Sequence, residues 1–499
     1  MQQQIQKYLV TTNFGFIKAG LTFLFLFLMA GFTTGCISSK GVKPHAKNIE
    51  ANDLEVGKTI SAAKAGIAWP NEDWWKLYGD QQLDALIIKT LSASPTLREA
   101  QARVAMSQAY VDSTHAESLP NVGAGADFTR ERFTELQFIP PPSAGNSAWN
   151  NKMAASLSYD LDLWGRQESI WKGAVDETLA SSAEVQQVEL ELVTAVVRNY
   201  IQLSMQYALR DIAVERLTQV KQRVSIVSRS LAAGLSTGMA VSEAETPLPL
   251  ANAKIEAIDE HIALLRNQLA ALSGQGPGAG DHISRPILVL EAPIGLPDAL
   301  PANLIGRRPD VLAQRWRIEA ATQSIDGAKA AFYPNINLIA FIGFQALGFG
   351  QLISNAAAIS GVGPAVSLPI FDGGRRRSNL SAKTASYDMA IENYNNVIVR
   401  ALQDVSDQLV ILQSNAKQHT EVEKSLVLAQ KTYTLSKVSY HAGIENYQHV
   451  LDVQTAVLNQ QEIACQLQAV RLSAYAGLMK ALGGGVMESA STAKATVGK

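Results

Sequence analysis

Apolar residues recur along most of this chain in steps of three and four. Ile391, Tyr394, Ile398, Leu402, Val405, Leu409 and Leu412 form one seam. Val185, Val188, Leu192, Val196, Tyr200, Leu203 and Tyr207 form another. Such spacing puts each set on one face of an α-helix. Neither Gly nor Pro interrupts residues 174–233 or 375–442, so each stretch predicts one continuous helix. At ~1.5 Å rise per residue these helices reach roughly 90–100 Å, against a usual length of ~11–12 residues. Seams this long need partner helices throughout, and a chain built on them is expected to be elongated.

Four other stretches alternate. Met153, Ala155, Leu157, Tyr159, Leu161 and Leu163 are interleaved with Ala154, Ser156, Ser158, Asp160 and Asp162. Val122, Ala124, Ala126 and Phe128 open a similar run. Ile336, Leu338, Ala340, Ile342 and Phe344 form a third, and Val362, Pro364, Val366, Leu368 and Ile370 a fourth. A period of two with one apolar face predicts strands, over about 121–163 and 335–371. The turn-rich segments IPPPSAGNSAWN (139–150) and ALGFGQLISNAA (346–357) divide each pair. Strands of this length suit a tilted transmembrane β-strand, which needs ~9–11 residues. A small periplasmic sheet covered by helices fits the same alternation.

The two patterns repeat. Pro95, Arg103, Asp112, Ala116, Pro120 and Asn121 recur as Pro309, Arg317, Asp326, Ala330, Pro334 and Asn335, at an offset of 214. Gly165, Arg166 and Gly234 recur as Gly374, Arg375 and Gly443, at an offset of 209. The chain therefore reads as two copies of one unit, each ordered helix, strand, strand, long helix, break, helix. Repeats of this length are duplicated domains rather than solenoid modules, whose periods are ~20–50 residues.

The N-terminus has its own pattern. Lys7 and Lys18 are the only charges in residues 1–35, and LTFLFLFLMAGF follows at 21–32. The apolar run is long enough for a signal-peptide core and short of the ~20 residues that span a membrane. Thr33-Thr34-Gly35-Cys36 resembles a bacterial lipobox, in which Cys36 would be lipidated. Ile37, rather than Asp, after that Cys implies sorting to the outer membrane in the resemblance to Gram-negative lipoproteins. No later apolar run approaches a membrane-spanning helix, so any further crossing must use strands.

Composition narrows the function. Among 499 residues, 43 Lys and Arg face 45 Asp and Glu, 47% are hydrophobic and only 18% are charged. This balance excludes a disordered chain and a general nucleic-acid binder. Two Cys exclude a disulfide framework or a Cys-rich zinc site, and the seven His show no metal-ligand spacing. Cys465, in a helical run, is expected to be buried and inert. Gly234-Leu235-Ser236-Thr237-Gly238 spells G-x-S-x-G, but a long helical run precedes it where a nucleophile elbow needs a strand. No catalytic residue, cofactor or metal is expected.

Four transmembrane strands cannot close a barrel, because the smallest have ~8, and open edges are not tolerated in lipid. Several copies must share one wall: two would give eight strands, and three would give twelve and room for a channel. The low charge then follows from surfaces facing lipid, neighbours or a duct.

Residues 306–345 (GRRPDVLAQRW…FYPNINLIAFIGFQ), 367–380 (SLPIFDGGRRRSNL), 159–167 (YDLDLWGRQ) and 440–460 (YHAGIENYQHVLDVQTAVLNQ) together resemble the TolC-type outer-membrane efflux proteins. The nearest branch is the lipoproteins that serve resistance-nodulation-division exporters. The resemblance covers about 80–499 and implies an all-α-dominated homotrimer with a shared 12-stranded barrel and a long periplasmic helical barrel. It further implies a periplasmic adaptor and an inner-membrane transporter as partners, in contact with outer-membrane lipid. The organisation expected is a signal peptide (1–35), a lipidated segment (36–79), a first repeat (80–273), a linker (274–305), a second repeat (306–482) and a disordered tail (483–499).

In the family the two helix breaks are the periplasmic tips. The resemblance assigns adaptor contact to Gly234, Leu235, Ser236 and Thr237 (first tip, 234–238) and to Gly443 and Ile444 (second tip, 443–447). It assigns the pore constriction to Tyr440, Glu445, Gln448, His449 and Asp452. Gln448 and Asp452, four apart, share a helix face, and in a trimer Asp452 would form a ring of carboxylates selecting cations. Gln448 and His449 depart from the family's pattern and would make the gate less hydrophobic or responsive to pH. Pro247 and Pro249, past the first tip, either bend the helix or restart it. Two other readings remain: an outer-membrane channel for type I protein or peptide secretion, and a non-conducting coiled-coil tether in the periplasm.

Overall fold

The computed structural model describes residues 38–50, 53–55, 57–61, 68–136, 140–290, 296–297 and 306–485. The expected signal peptide, Cys36 and the end of the tail lie outside the described residues. The main helices are α1 (Gln81–Ala93), α2 (Pro95–Ala116), α3 (Arg166–Ala232), α4 (Gly238–Glu245), α5 (Pro247–Leu272), α6 (Pro309–Ala330), α7 (Arg375–His441) and α8 (Tyr447–Ala481). The strands are β1 (Asn121–Arg132), β2 (Ser147–Asp160), β3 (Asn335–Leu347) and β4 (Ala358–Ser367). Both α2 and α6 have 22 residues, and both α3 and α7 have 67. No described helix is long and apolar enough to cross a membrane.

Contacts divide the chain into two units. One comprises Met1–Lys47, Ser107–Thr178 and Arg317–Glu392. It holds the sheet, an antiparallel meander in the order β1-β2-β3-β4. The register pairs Phe128 with Asn151, Ala126 with Met153, Met153 with Phe344, and Ile342 with Ser360. Directly paired residues share a face, so Val122, Leu157, Leu338, Ile342, Val362 and Val366 all stand on one side. Val122, Ile342, Val362 and Val366 are exposed there. The opposite face carries Asp127, Lys152, Ser156, Ser158, Asp160, Asn337 and Gln345.

The elements differ from the sequence pattern at their ends. The alternation through Leu161 and Leu163 predicts a longer β2, but the strand stops at Asp160. Asp162 takes a positive φ of 38°, and its carboxylate caps α3 by accepting from the Glu168 amide at 2.8 Å. Likewise β4 stops at Ser367, before Leu368 and Ile370. There Asp372 accepts from the Gly374 and Arg376 amides, both at 3.1 Å. Pro364 is tolerated because β4 is an edge strand. α3 begins eight residues before the Gly-free stretch. Gly173 stays helical inside it, facing Gln323 and Ala320 of α6, where an added Cβ would make only ordinary contacts of 3.4 and 3.5 Å. After α4 the chain continues through Thr246 in α-helical geometry and α5 starts at Pro247. Pro247 and Pro249 thus fall in a first turn, where a missing N–H costs no helical hydrogen bond.

The second unit comprises Asn48–Met106, Leu179–Trp316 and Asn393–Lys499. Its core joins Val196, Val197, Tyr200 and Leu203 of α3 to Val405, Leu409 and Leu412 of α7, and Leu472, Tyr475 and Leu478 of α8. Residues 36–79, expected only as an anchored segment, contribute Trp74 and Tyr78 to this core. Tyr78 is fully buried, and its hydroxyl donates to the Leu472 carbonyl at 2.7 Å. Burial pushes its pKa well above the usual tyrosine range. Asp80 caps α1 and also accepts from the Tyr200 hydroxyl at 2.9 Å. Arg308 is buried before α6, donating to Asp310 at 2.7 and 3.0 Å, to Asp404 of α7 at 3.0 Å and to the Ala481 carbonyl of α8 at 3.2 Å.

Removing Arg308 strands two carboxylates beside a buried carbonyl. Because Asp404 is half exposed and can be resolvated, Arg308→Met is expected to destabilise this unit by about 1–3 kcal/mol. Urea unfolding followed by helical circular dichroism measures it; a shift no larger than that of an exposed control such as Lys424→Met contradicts this role.

Candidate functional site: two matched helix turns and the ladder behind them

The two helix breaks share one construction. At the first, the Leu235 amide donates to the Ser230 carbonyl at 2.8 Å and the Gly234 amide to Leu231 at 2.9 Å. At the second, the Ile444 amide donates to Ser439 at 2.9 Å and the Gly443 amide to Tyr440 at 3.0 Å. These are Schellman closures of α3 and α7. They require the left-handed backbone at Gly234 (φ 74°) and Gly443 (φ 73°). Three residues on, a side chain caps the next helix: Thr237 accepts from the Ala240 amide at 3.3 Å, and Asn446 from the His449 amide at 2.9 Å. The offset of 209 in the sequence is thus an offset of identical turn geometry.

The side chains at the turns differ. At the first, Leu231, Leu235 and Met239 are exposed, Leu235 to 82%. Ser236 lies in a turn between two helices, so G-x-S-x-G has no nucleophile-elbow geometry here. At the second, Ile444 is 76% exposed, and Tyr440 packs edge-on against Tyr447 at 4.9 Å. Glu445, Gln448 and His449 are exposed. The His449 amide serves the helix cap, while its ring stands clear of the turn's hydrogen bonds.

Asp452 does not stand alone. Its carboxylate accepts a hydrogen bond from the Arg223 guanidinium of α3 and forms an ion pair with it. Around that pair runs a polar ladder between α3 and α8. Buried Gln219 donates to the Leu451 carbonyl, and to Thr455 Oγ1 at 2.7 Å. Arg216 donates to Asn459 at 2.8 Å, and Gln454 donates to Glu215 at 3.2 Å. Leu451 and Val450 are buried beneath it. Packing of this kind fixes helix register through directed polar contacts, which a purely apolar seam does not.

Sequence reasoning singled out Asp452 without a partner and did not single out Arg223 or Gln219. One signal was available: no acid stands three or four residues from Arg223 on its own helix, so its charge needs a partner elsewhere. Cys465, on α8, is half-buried rather than buried. Desolvation, and then Glu462, push its thiol pKa up, which keeps it a poor nucleophile. Among the described residues no group of three or more His, Cys, Asp or Glu could hold a metal ion.

Known proteins share this organisation. The outer membrane efflux protein family matches residues 86–275 and 300–484. The multidrug resistance outer membrane protein MdtP of Escherichia coli K12 is 31% identical over 489 residues, 94% of this chain and 98% of that protein. The fusaric acid resistance protein FusA of Burkholderia cepacia is 42% identical over 358 residues, 70% of this chain and 67% of that protein. The solved outer membrane protein VceC of Vibrio cholerae is 31% identical with a TM-score of 0.77, covering 84% of this chain and all of that one. The chain belongs to the outer membrane efflux protein family: it is a channel of the outer membrane, not an enzyme.

Proposed function

We propose that three copies of this chain close one passive duct, the outer-membrane component of a tripartite efflux pump. It takes small molecules from an inner-membrane transporter and a periplasmic adaptor. The observation that carries this reading is the sheet: four antiparallel strands, one exposed apolar face, and edge strands β1 and β4 without partners. In hydrocarbon those edges must be paired, and a twelve-stranded closure by three copies pairs them all while leaving a water-filled lumen. In the second unit α7 leaves Val399, Val410, Val427, Leu428, Leu435 and Val438 exposed, an apolar stripe for the helix of a neighbouring copy. The paired lengths of α2 with α6 and α3 with α7 support an internal duplication.

The exposed turns, with Leu235 and Ile444 at their apices, are the adaptor-facing tips in this reading. The Arg223–Asp452 pair then acts as a latch that holds α8 against α3 near the constriction. Asp452 becomes free to form a ring of carboxylates only when that pair opens. The N-terminal strap fits a lipid anchor at Cys36. Arg377, at the sheet end of α7, donates to the carbonyls of Ser38 and Lys40 at 3.2 and 3.0 Å. Asp388 then accepts from the His45 and Ala46 amides at 2.9 and 3.0 Å. The described chain from Ser38 onward is thereby held to the strand end of α7. A type I secretion channel would use the same duct, whereas a tether has no use for an apolar sheet face.

Purified full-length protein in a planar bilayer is expected to conduct. A monomer without channels contradicts the duct. Asp452→Ala and Arg223→Ala should each raise conductance, and the double variant should add little, because both remove one contact. Asp452→Ala should also weaken block by trivalent cations, and unchanged conductance and block remove the latch. Cys36→Ser should abolish incorporation of labelled palmitate, and retained label places the anchor elsewhere.

A further inference from the structure

The apolar face of the sheet changes character along its length. After Val122, β1 carries Ala124, Ala126, Phe128, Arg130 and Arg132 on that face. Their direct partners on β2 are Ala155, Met153, Asn151, Trp149 and Ser147. The end nearest α2 and α3 is thus aliphatic, and the far end, at the β1–β2 loop, carries rings and two guanidinium groups. No acid stands on this face of any strand. Asp127 and Glu131 belong to the other face, where Asp127 is the direct partner of Lys152 and Glu131 accepts from the Asn150 amide at 2.8 Å. Arg130 and Arg132 are exposed, and neither has an ion-pair partner among the described residues. The Arg132 Nε donates to the Gly145 carbonyl at 3.1 Å, which leaves its terminal nitrogens for another acceptor.

The rings beside the arginines enclose a polar group. Phe349, on the loop after β3, lies 5.7 Å from the Phe128 ring and 5.5 Å from the Trp149 ring. All three rings are about half exposed. Between Phe128, its cross-strand partner, and Trp149, its neighbour along the same face, stands Asn151. Asn151 is 0% exposed, and neither its Nδ2 nor its Oδ1 has a hydrogen-bond partner. A buried amide with its donors and acceptor unused costs free energy that a packed core avoids. Nothing in the strand demands it, since Met153 and Ala155 fill the next positions on this face. A ligand that brings hydroxyl or carbonyl groups among the rings would satisfy it.

Cations, ring surface and an unsatisfied amide on one lipid-compatible face fit one partner. We propose that the loop end of this face docks a phosphorylated, acylated glycolipid of the outer leaflet. Arg130 and Arg132 take its phosphates through charge-assisted, bidentate hydrogen bonds. Trp149 and Phe349 lie against the apolar side of its sugars, at the level where aromatic side chains gather in membrane barrels. Asn151 takes a sugar hydroxyl or an amide-linked acyl group when Phe349 shifts off its neighbours. The acyl chains then run over the aliphatic part of the face towards Val122. This assignment rests on one part of the duct reading, that the apolar face meets lipid with α2 and α3 on the periplasmic side. A phospholipid of the inner leaflet would meet the opposite, aliphatic end.

The test titrates full-length protein in detergent with diphosphoryl lipid A in mixed micelles, read by calorimetry. Phosphatidylglycerol supplies charge and acyl chains without sugar, and inorganic phosphate supplies charge alone. Wild type should bind lipid A more tightly than phosphatidylglycerol and show no heat with inorganic phosphate. Arg130→Gln/Arg132→Gln should need about tenfold more lipid A for half-saturation, the loss expected for a charge-assisted contact. Asn151→Leu keeps both arginines, so it should weaken lipid A binding about fivefold and leave phosphatidylglycerol binding unchanged. Equal lipid A binding in wild type and double variant overturns the proposal, as does a wild type that binds phosphatidylglycerol or phosphate as tightly as lipid A. So does a double variant that loses the wild-type oligomeric mass, because the arginines would then serve contacts between copies. A wild type that conducts in planar bilayers without preferring lipid A overturns this site and leaves the duct. One that binds lipid A yet never conducts sinks the duct instead.

Discussion

An unpaired backbone N–H or C=O in hydrocarbon costs several kcal/mol, and no side chain on this sheet can offset a whole edge of them. β1 and β4 each present such an edge. Within one chain they cannot meet, because four strands are too few to curl into a barrel. The exposed apolar face of the sheet makes the problem sharper, since water is no better a solvent for Val122, Ile342 and Val362. Oligomerisation is therefore a consequence of backbone chemistry on our reading, and the rest of the architecture is arranged to permit it. On the same reading, the exposed apolar stripe of α7 would supply contacts between copies.

Stability and control are separated along the chain. The second unit is held by a large apolar core with Tyr78 and Arg308 at its polar joints. Nearer the turns that core gives way to directed contacts, in which Gln219, Arg223 and Arg216 reach across to α8. Such contacts are individually modest but specific in register. In the proposed duct, such contacts could be exchanged for a few others without unfolding the core. Gly234 and Gly443 supply the left-handed backbone that both turns need, and the turns present Leu235 and Ile444 outward.

Much of this was legible in the sequence because its signals are periodic. Stretches free of Gly and Pro placed α7 to within a residue, but α3 starts eight residues earlier because Gly173 stays helical rather than ending the helix. Alternation located the strands and their shared face, but not their ends, which Asp162 and Asp372 set by capping the helices that follow. Contacts between residues far apart in sequence left no local mark. Trp74 and Tyr78 fell in the segment 36–79 expected to be lipidated, yet they lie in the core, and Arg223 showed only an absent partner.

The claim on which everything else depends is that β1 of one copy pairs with β4 of the next. Cysteines at Gly125 and Gly363, on the polar face of the two edge strands, test it directly under mild oxidation in native outer membranes, with neighbouring glycines Gly123 and Gly361 covering a shift in register. The account predicts cross-linked species of two and three chains and none larger, because the ring closes at three. Cross-linking confined to single chains, or a ladder that continues past three, would contradict it.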